Sequence, residues 1–490
     1  MDTTTDSRST YFFPPQISLS IQIIIVAVVF TYLCCIFQRL YFHPLSKIPG
    51  PRLAAATSWY EFYYNVIRDG SYIKNFEQMH RDYNSSVIRI APDMVHVNDP
   101  DFFSTPHEHR LRRQKVNSMF STKAVDSMAP DVLAIAQKAA NIMMKRGEEK
   151  RPVDMYRLSR SISSEVLFKI LFDEPMHLLD SQEEQPELLA GLDTFLGTFW
   201  LMRAFPVIGW LAINLPQSLT RKLIPGFKSL RDDCERWARM SVARQNSREI
   251  TKNDSSSNTV FDLLLTPTPG EPRSEFSIPD LVDEAFLFVF AGTDTTGNTI
   301  TNAFYYILSS PSVYSKILDE LTAHGITSPE TFDCNVVQRL PYLVNSSSQG
   351  KYANSHYSGR CSSAYCARWG VVVDGYFMPA GTSISQSIHS LHHNASIFPS
   401  PEKFDPERWI KDEEKELEKY FAPFSKGSRA CLGMNLANQE IYVVIALFCA
   451  RFEIELYDTD SRSMEWADRG NTVNRSPVKL LVKRDRWANN

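Results

Sequence analysis

From Ser9 to Gln38 the chain carries no charged side chain, and Ile17 to Phe37 is dominated by Ile, Val, Leu and Phe. A helix of that length and composition spans the hydrocarbon core of a bilayer. The run ends in Cys34-Cys35-Ile36-Phe37 before Arg39, and it lacks the cationic start, short apolar core and small-residue cleavage site of a removable leader. Asp2, Asp6 and Arg8 precede it, whereas Arg39, Lys47 and Arg52 follow. Basic residues on that side predict that the bulk of the chain is cytosolic. The resulting division is a lumenal N-terminus over 1–16, a single-pass anchor over 17–38, a proline-rich segment over 39–52 and a large catalytic-sized region over 53–490. Pro44, Pro49 and Pro51 make the third piece either a stiff hinge that sets the attitude of a domain against the membrane, or an ordinary linker.

The remainder has globular composition, with 43% hydrophobic and 22% charged residues. Lys and Arg total 52 against 56 for Asp and Glu, so no basic excess points to a nucleic-acid partner. Eight cysteines without a C-x-x-C pair make neither a disulfide framework nor a zinc module, so a cysteine that matters here matters singly. No repeat with a period of about 20 to 50 residues is present, which leaves one large fold as the expectation. Beyond Pro51, apolar residues recur mostly at helical spacing. Strand signals are fewer: Ser86 to Asp99 alternates, and the stretch from Gly370 carries a hairpin signal at Asp374-Gly375. The fold class expected is mainly α with small β-sheets. Phe195 to Leu215 is rich in aromatic and aliphatic residues but is interrupted by Pro206 and Gly209, so it either covers a core or lines an apolar entrance at the membrane surface.

The most specific stretch is FAPFSKGSRACLGMNLANQEIYVV, containing Phe424, Gly427, Arg429, Cys431 and Gly433 before an apolar helical run. Each residue suits a thiolate bound to haem iron. Gly427 permits a tight turn, and Gly433 permits close backbone approach to a flat macrocycle. Phe424 shields the sulfur from water, and the planar fork of Arg429 matches a propionate. Cys431 lies where the next helix begins, so peptide dipoles favour its thiolate. The complete F-x-x-G-x-R-x-C-x-G spacing resembles the haem-binding loop of the cytochrome P-450 superfamily.

That resemblance implies the cytochrome P-450 fold, haem b with Cys431 as the axial ligand, and electrons from NADPH through NADPH-cytochrome P-450 reductase on the same membrane. It implies insertion of one oxygen atom from O2 into an apolar small molecule, by a protein of the endoplasmic reticulum membrane. The H-P-L-x-x-I-P-G-P entrance resembles fungal microsomal members acting on terpenoid, alkaloid or polyketide scaffolds. A second stretch, PDLVDEAFLFVFAGTDTTGNTITNAFYYIL, resembles the family's oxygen-activation helix. There Ala291 and Gly292 would admit haem and oxygen to the helix backbone, and Asp294 and Thr295 would carry protons into an apolar pocket. The hydroxyl that follows the small residues can bond a carbonyl one turn back. His109 and Arg113 stand where the family offers Trp and Arg to a haem propionate, and Arg408, followed by Trp409, stands where its Arg knits the haem-side core. Phe286, Phe290 and part of Phe195 to Leu215 are expected pocket walls.

One expectation fails within the sequence itself. The family's E-x-x-R helix should follow QRLPYL, yet Val344 to Trp369 has no acidic residue and no helical period. A buried Arg408 without that carboxylate would be a costly orphan. Reading permitted codons for 345–369 one base later gives T-A-V-V-K-E-S-M-R and then a Pro-Arg strand that rejoins the present frame, so this segment is read here as out of frame. Cys361 and Cys366 fall inside it. Two rival readings remain at this stage: a haem-thiolate isomerase or dehydratase that uses no O2, and a haem-free membrane protein if 344–369 stands as written.

Overall fold

The computed structural model describes residues 15–100, 102, 111–180, 186–215, 219, 226–251, 259–266, 276–353, 361–365, 370–412, 415–427 and 430–488. His109 and Arg429 lie outside them, as does most of 354–369. The chain forms two units, one drawn from 1–61, 78–97 and 365–384, the other from 62–77, 98–364 and 385–490. The stretch read above as one region over 53–490 thus contributes to both.

In the first unit, helix α1 (Pro15–Tyr41) runs for 27 residues, about 40 Å at 1.5 Å per residue. Its Ile23, Val26 and Phe30 are more than half exposed, as suits a helix whose solvent is lipid, and α1 fits a membrane anchor. Strands β1 (Val87–Ala91) and β2 (Met94–Val97) pair antiparallel. Both are buried throughout, so the alternation in sequence does not mark one wet face. Arg89 is accommodated there by carbonyls, donating to Arg39 O at 2.9 Å and Pro92 O at 2.6 Å. The proline-rich segment is attached to this hairpin: Arg89 N–H donates to Pro49 O at 2.7 Å, and a Cβ on Gly50 would stand 2.4 Å from Arg89 O. Strands β3 (Val371–Val373) and β4 (Tyr376–Met378) form the hairpin expected at Asp374-Gly375, whose φ values of 47° and 77° are those of a two-residue turn.

The second unit is built on helices. They are α2 (Leu111–Val116), α3 (Ala129–Glu148), α4 (Met155–Phe172), α5 (Glu187–Ala204), α6 (Pro206–Asn214), α7 (Phe227–Thr251), α8 (Ile278–Leu308), α9 (Pro311–Ala323), α10 (Pro341–Ala353) and α11 (Met434–Arg451). Strands β5 (Phe452–Leu456) and β6 (Lys479–Asp485) pair antiparallel beside them. The central helix α8 opens on a reciprocal cap, with Ser277 Oγ accepting from Asp280 N–H and Asp280 accepting from Ser277 N–H, and Pro279 in its first turn. It packs against α4, α7, α10 and α11. The break between α5 and α6 falls at Phe205-Pro206, while Gly209 is held within α6.

Two glycines set how closely α8 meets α4. A Cβ on Gly292 would lie 2.9 Å from Leu167 Cδ2, and one on Gly297 would lie 2.8 to 2.9 Å from Arg160 Cγ, Cα and N. The neighbour at Gly297 is backbone and cannot swing aside. Gly297→Ala is therefore expected to cost about 1–3 kcal/mol by overpacking, measurable as a lower denaturant midpoint with an unchanged slope.

Val344 to Ala353 is helical, which corrects the expectation of no helix there. The reason is non-local: both Glu320 oxygens of α9 accept from the first turn of α10, from Tyr342 N–H at 2.7 Å and Leu343 N–H at 2.8 Å. A carboxylate at a helix N-terminus stabilises it. Arg408 is likewise no orphan, since it donates to the carbonyls of Pro399 at 2.7 Å, Ser400 at 3.0 Å and Lys403 at 3.4 Å.

Candidate active site

A cavity of about 760 Å³ opens between α8, the start of α11 and the loop before it. That loop is shaped by Gly427, whose φ of +74° lies in the left-handed region. It lets Ala430 N–H reach Gly427 O at 3.1 Å, and Cys431 N–H then donates to Phe424 O at 2.7 Å. The fold-back puts Phe424, Ala430, Cys431 and Gly433 on the cavity wall. A Cβ on Gly433 would meet nothing within 4 Å, so this wall leaves room for a flat group. Solvent reaches Cys431 through the cavity, although protein crowds its other sides. That crowding pushes its thiol above the usual range, while the Gly433 N–H and the Arg113 guanidinium pull it back. A bound metal removes the thiol proton outright. Arg113 of α2 lines the cavity and donates to the Ala430 carbonyl.

The opposite wall comes from one stripe of α8: Glu284, Leu287 and Phe288, Ala291 and Gly292, Thr295 and Thr296, Thr299. These positions repeat every three or four residues, the spacing of one helix face. Thr295 Oγ donates to Ala291 O at 2.7 Å, and Thr299 Oγ to Thr295 O at 2.8 Å, so hydroxyls turn back along the helix beside the cavity. Gly292 is on this wall, but the space its side chain would take belongs to Leu167 of α4, so its smallness serves helix packing as well. Phe286 and Phe290 do not line the cavity. They lie on another face of α8, with ring centroids 4.9 and 5.1 Å from Phe195, and Phe286 is also 5.9 Å from Phe227. The expectation that they form pocket walls is corrected by the phase of the helix, and the expected contribution from part of Phe195 to Leu215 is corrected too, since none of those residues lines this cavity.

Asp294 is not a cavity wall residue either. Its carboxylate points into the α4 and α5 side, where Oδ1 lies 2.7 Å from Arg160 Nε and accepts from Tyr156 OH at 3.4 Å. Arg160 Nη1 lies 2.8 Å from Asp193 Oδ1, and its guanidinium stacks 4.7 Å over the Tyr156 ring. Asp294 and Arg160 are fully buried, whereas Asp193 is 39% exposed, so the network links the interior beside the cavity to solvent. Burial pushes the Asp294 carboxyl up, against the pull of Arg160, and Asp294 in turn keeps the guanidinium charged. Sequence reasoning missed Arg160, Tyr156 and Asp193. MYRLSRSISSEVLFKILF carries Arg157, Arg160, Glu165 and Lys169, and it is burial in the structure that singles out Arg160 as the cation needing a partner of opposite sign.

The residues present fit a haem: a cavity-facing thiol at a helix start, a guanidinium beside it, and a glycine wall without obstruction. The profile of the family described as Cytochrome P-450 matches residues 68–482. The cytochrome P-450 monooxygenase BOT1 of Botryotinia fuckeliana is 35% identical over 91% of this chain and 92% of its own length. The monooxygenase phqM of Penicillium fellutanum is 33% identical over 91% and 88%. Among solved structures, the haem domain of cytochrome P450DA superposes with a TM-score of 0.68 at 16% identity, covering 90% of this chain and 98% of that one. The chain belongs to the cytochrome P-450 family, a class that uses haem iron with a cysteine thiolate. It is a haem-dependent monooxygenase, and its relatives give no support to the isomerase, dehydratase or haem-free readings.

Proposed function

We propose that Cys431 would supply the thiolate to haem iron, that Phe424, Gly427 and Gly433 shape and shield its loop, and that Arg429, Arg113 and His109 would pair with haem propionates. The support is that Cys431 and Thr295 face one cavity from opposite sides. When bound, haem supplies dioxygen activation, with thiolate donation favouring O–O cleavage. The protein's part is to bind, orient and deliver protons. Ala291 and Gly292 keep the α8 wall low. Thr295, its own proton given to Ala291 O, presents hydroxyl lone pairs to the cavity and orders water there. Asp294 exchanges protons with solvent at the Asp193 end of its network, and delivery to the cavity requires its carboxylate to leave Arg160 and turn toward Thr295. Val116, Phe120, Phe288 and Ile388 give the cavity an apolar lining suited to an apolar small molecule. Electrons come from NADPH through a partner reductase, and α1 holds the protein in the endoplasmic reticulum membrane with the bulk of the chain cytosolic. Val207, Trp210 and Ile213 of α6 are exposed and apolar, which suits contact with the same lipid surface. Kinship with fungal monooxygenases supports a substrate from secondary metabolism.

Thr295→Ala tests the proton role. The haem spectrum should be unchanged, product formation should fall on the order of 100-fold, and NADPH consumption should continue with reduced oxygen species released. Parallel loss of NADPH consumption and product, or retention of full product yield, would remove Thr295 from the proposed role.

A further inference from the structure

The end of α1 is built into the first unit. A helix leaves its last carbonyls without partners of its own, and one of those of α1 is met from the fold: the buried Arg89 donates from Nη1 to Arg39 O at 2.9 Å. Arg39 in turn donates from Nη1 to Ala56 O at 3.0 Å, at the end of the short helix Arg52–Ala56. Two turns earlier on α1, Tyr32 OH and Thr57 Oγ lie 2.9 Å apart, and the Trp59 N–H donates to the same Thr57 oxygen at 3.3 Å. Tyr32 and Arg39 share one face of the helix and are separated by about 10 Å along its axis. The segment that follows Pro51 therefore lies alongside the final two turns of the anchor.

Its burial pattern is inverted. Ala54, Ala55 and Ala56 are buried, whereas Leu53 is 65% exposed and Trp59 is more than half exposed. Tyr41 and Phe42, where α1 ends, are more than half exposed as well. Water does not favour hiding methyl groups while leaving leucine and aromatic rings outside. The boundary of a bilayer does, because tryptophan and tyrosine rings sit well at headgroup level and the long side chain of an arginine can reach from there to water. Arg52, exposed beside Leu53, supplies such a side chain.

We propose that the final two turns of α1 are a structural member of the first unit, joined to it through Tyr32, Arg39 and Arg89, and that this joint holds Leu53 and Trp59 in the cytosolic leaflet beside the anchor. The partner is the acyl and headgroup boundary of the bilayer that α1 crosses, since the exposed apolar side chains of 53–59 continue the lipid-facing surface of the helix they pack against. The stretch from Pro44 to Pro51 is then a closed loop between two packed helices, and side-chain contacts fix the attitude of the unit to the membrane. This inference rests on α1 spanning a bilayer, and flotation tests that reading separately.

Full-length protein in phospholipid vesicles supplies the test through Trp59, whose emission is the difference between a chain and its Trp59→Phe counterpart. Lipids brominated near the headgroup end of their acyl chains should quench that component, and aqueous iodide should not. In the combined variant Tyr32→Phe, Arg39→Gln, which alters no residue of the cavity, iodide quenching of the Trp59 component should rise severalfold while the protein still floats with the vesicles. A Trp59 component open to iodide in the unaltered chain would overturn the lipid contact. Quenching that is the same in the combined variant would overturn the joint, because Trp59 would then partition into lipid unaided. Protein that does not float with vesicles would overturn the anchor reading, and the lipid contact with it.

Discussion

Cys431→Ala is expected to leave a chain that folds but shows no thiolate-ligated haem band and no oxygen insertion. The loop around Cys431 is held by its backbone: Cys431 N–H to Phe424 O, Ala430 N–H to Gly427 O, and the left-handed turn at Gly427 are untouched by the substitution. Alanine removes only the sulfur, so stability of the protein without haem should change little. What is lost is the one donor on this wall able to push electron density onto iron, the property that favours O–O cleavage. Circular dichroism should therefore match the parent, while the carbon monoxide spectrum and product formation disappear together. A persistent thiolate band in this variant would transfer the ligand role to another cysteine; among the described residues the others are Cys34 and Cys35 on α1 and the buried Cys234, Cys334 and Cys449.

Arg160→Leu is expected to be among the most destabilising single changes outside the cofactor loop. It leaves Asp294 fully buried with its ion-pair partner gone, and breaking a buried pair from one side costs about 3–5 kcal/mol. Asp193, at 39% exposure, can rehydrate and adds little to the loss. The pH dependence identifies the cause. Burial already raises the Asp294 carboxyl, and without Arg160 it rises further. A carboxyl whose folded pKa is raised binds its proton more tightly folded than unfolded, so the deficit is smallest near the ordinary carboxylate range and grows as pH climbs through the raised value. Arg160→Leu combined with Asp294→Leu should recover most of the lost stability at neutral pH, because the uncompensated charge is gone. A double variant as unstable as the single one would mean that Arg160 acts through packing over Tyr156 instead.

The parts of this structure that could be read in the sequence are those carried by local chemistry. The loop around Cys431 was legible because a positive-φ glycine, a thiol and a following helix are each dictated within ten residues of chain. The hairpin at Asp374-Gly375 was legible for the same reason. Features that depend on which face of a helix meets what were not. Phe286 and Phe290 are apolar residues on the same helix as Thr295, but helical phase carries them onto the Phe195 ring instead of the cavity. Asp294 lies next to Thr295 in sequence, yet the turn of α8 between them sends its carboxylate toward Arg160 of a different helix. The helical state of 344–353 comes from Glu320 of α9, a residue that no inspection of that segment could supply. Arg408 finds its partners among carbonyls of its own loop, where only a carboxylate had been expected.

The central claim, a haem monooxygenase whose iron is held by Cys431, is tested most directly by one spectrum. Membranes containing the full chain, reduced anaerobically and exposed to carbon monoxide, should give a difference spectrum with the red-shifted Soret band of a thiolate-ligated haem. A band at the position given by histidine ligation, or no haem band from correctly folded protein, would contradict the account.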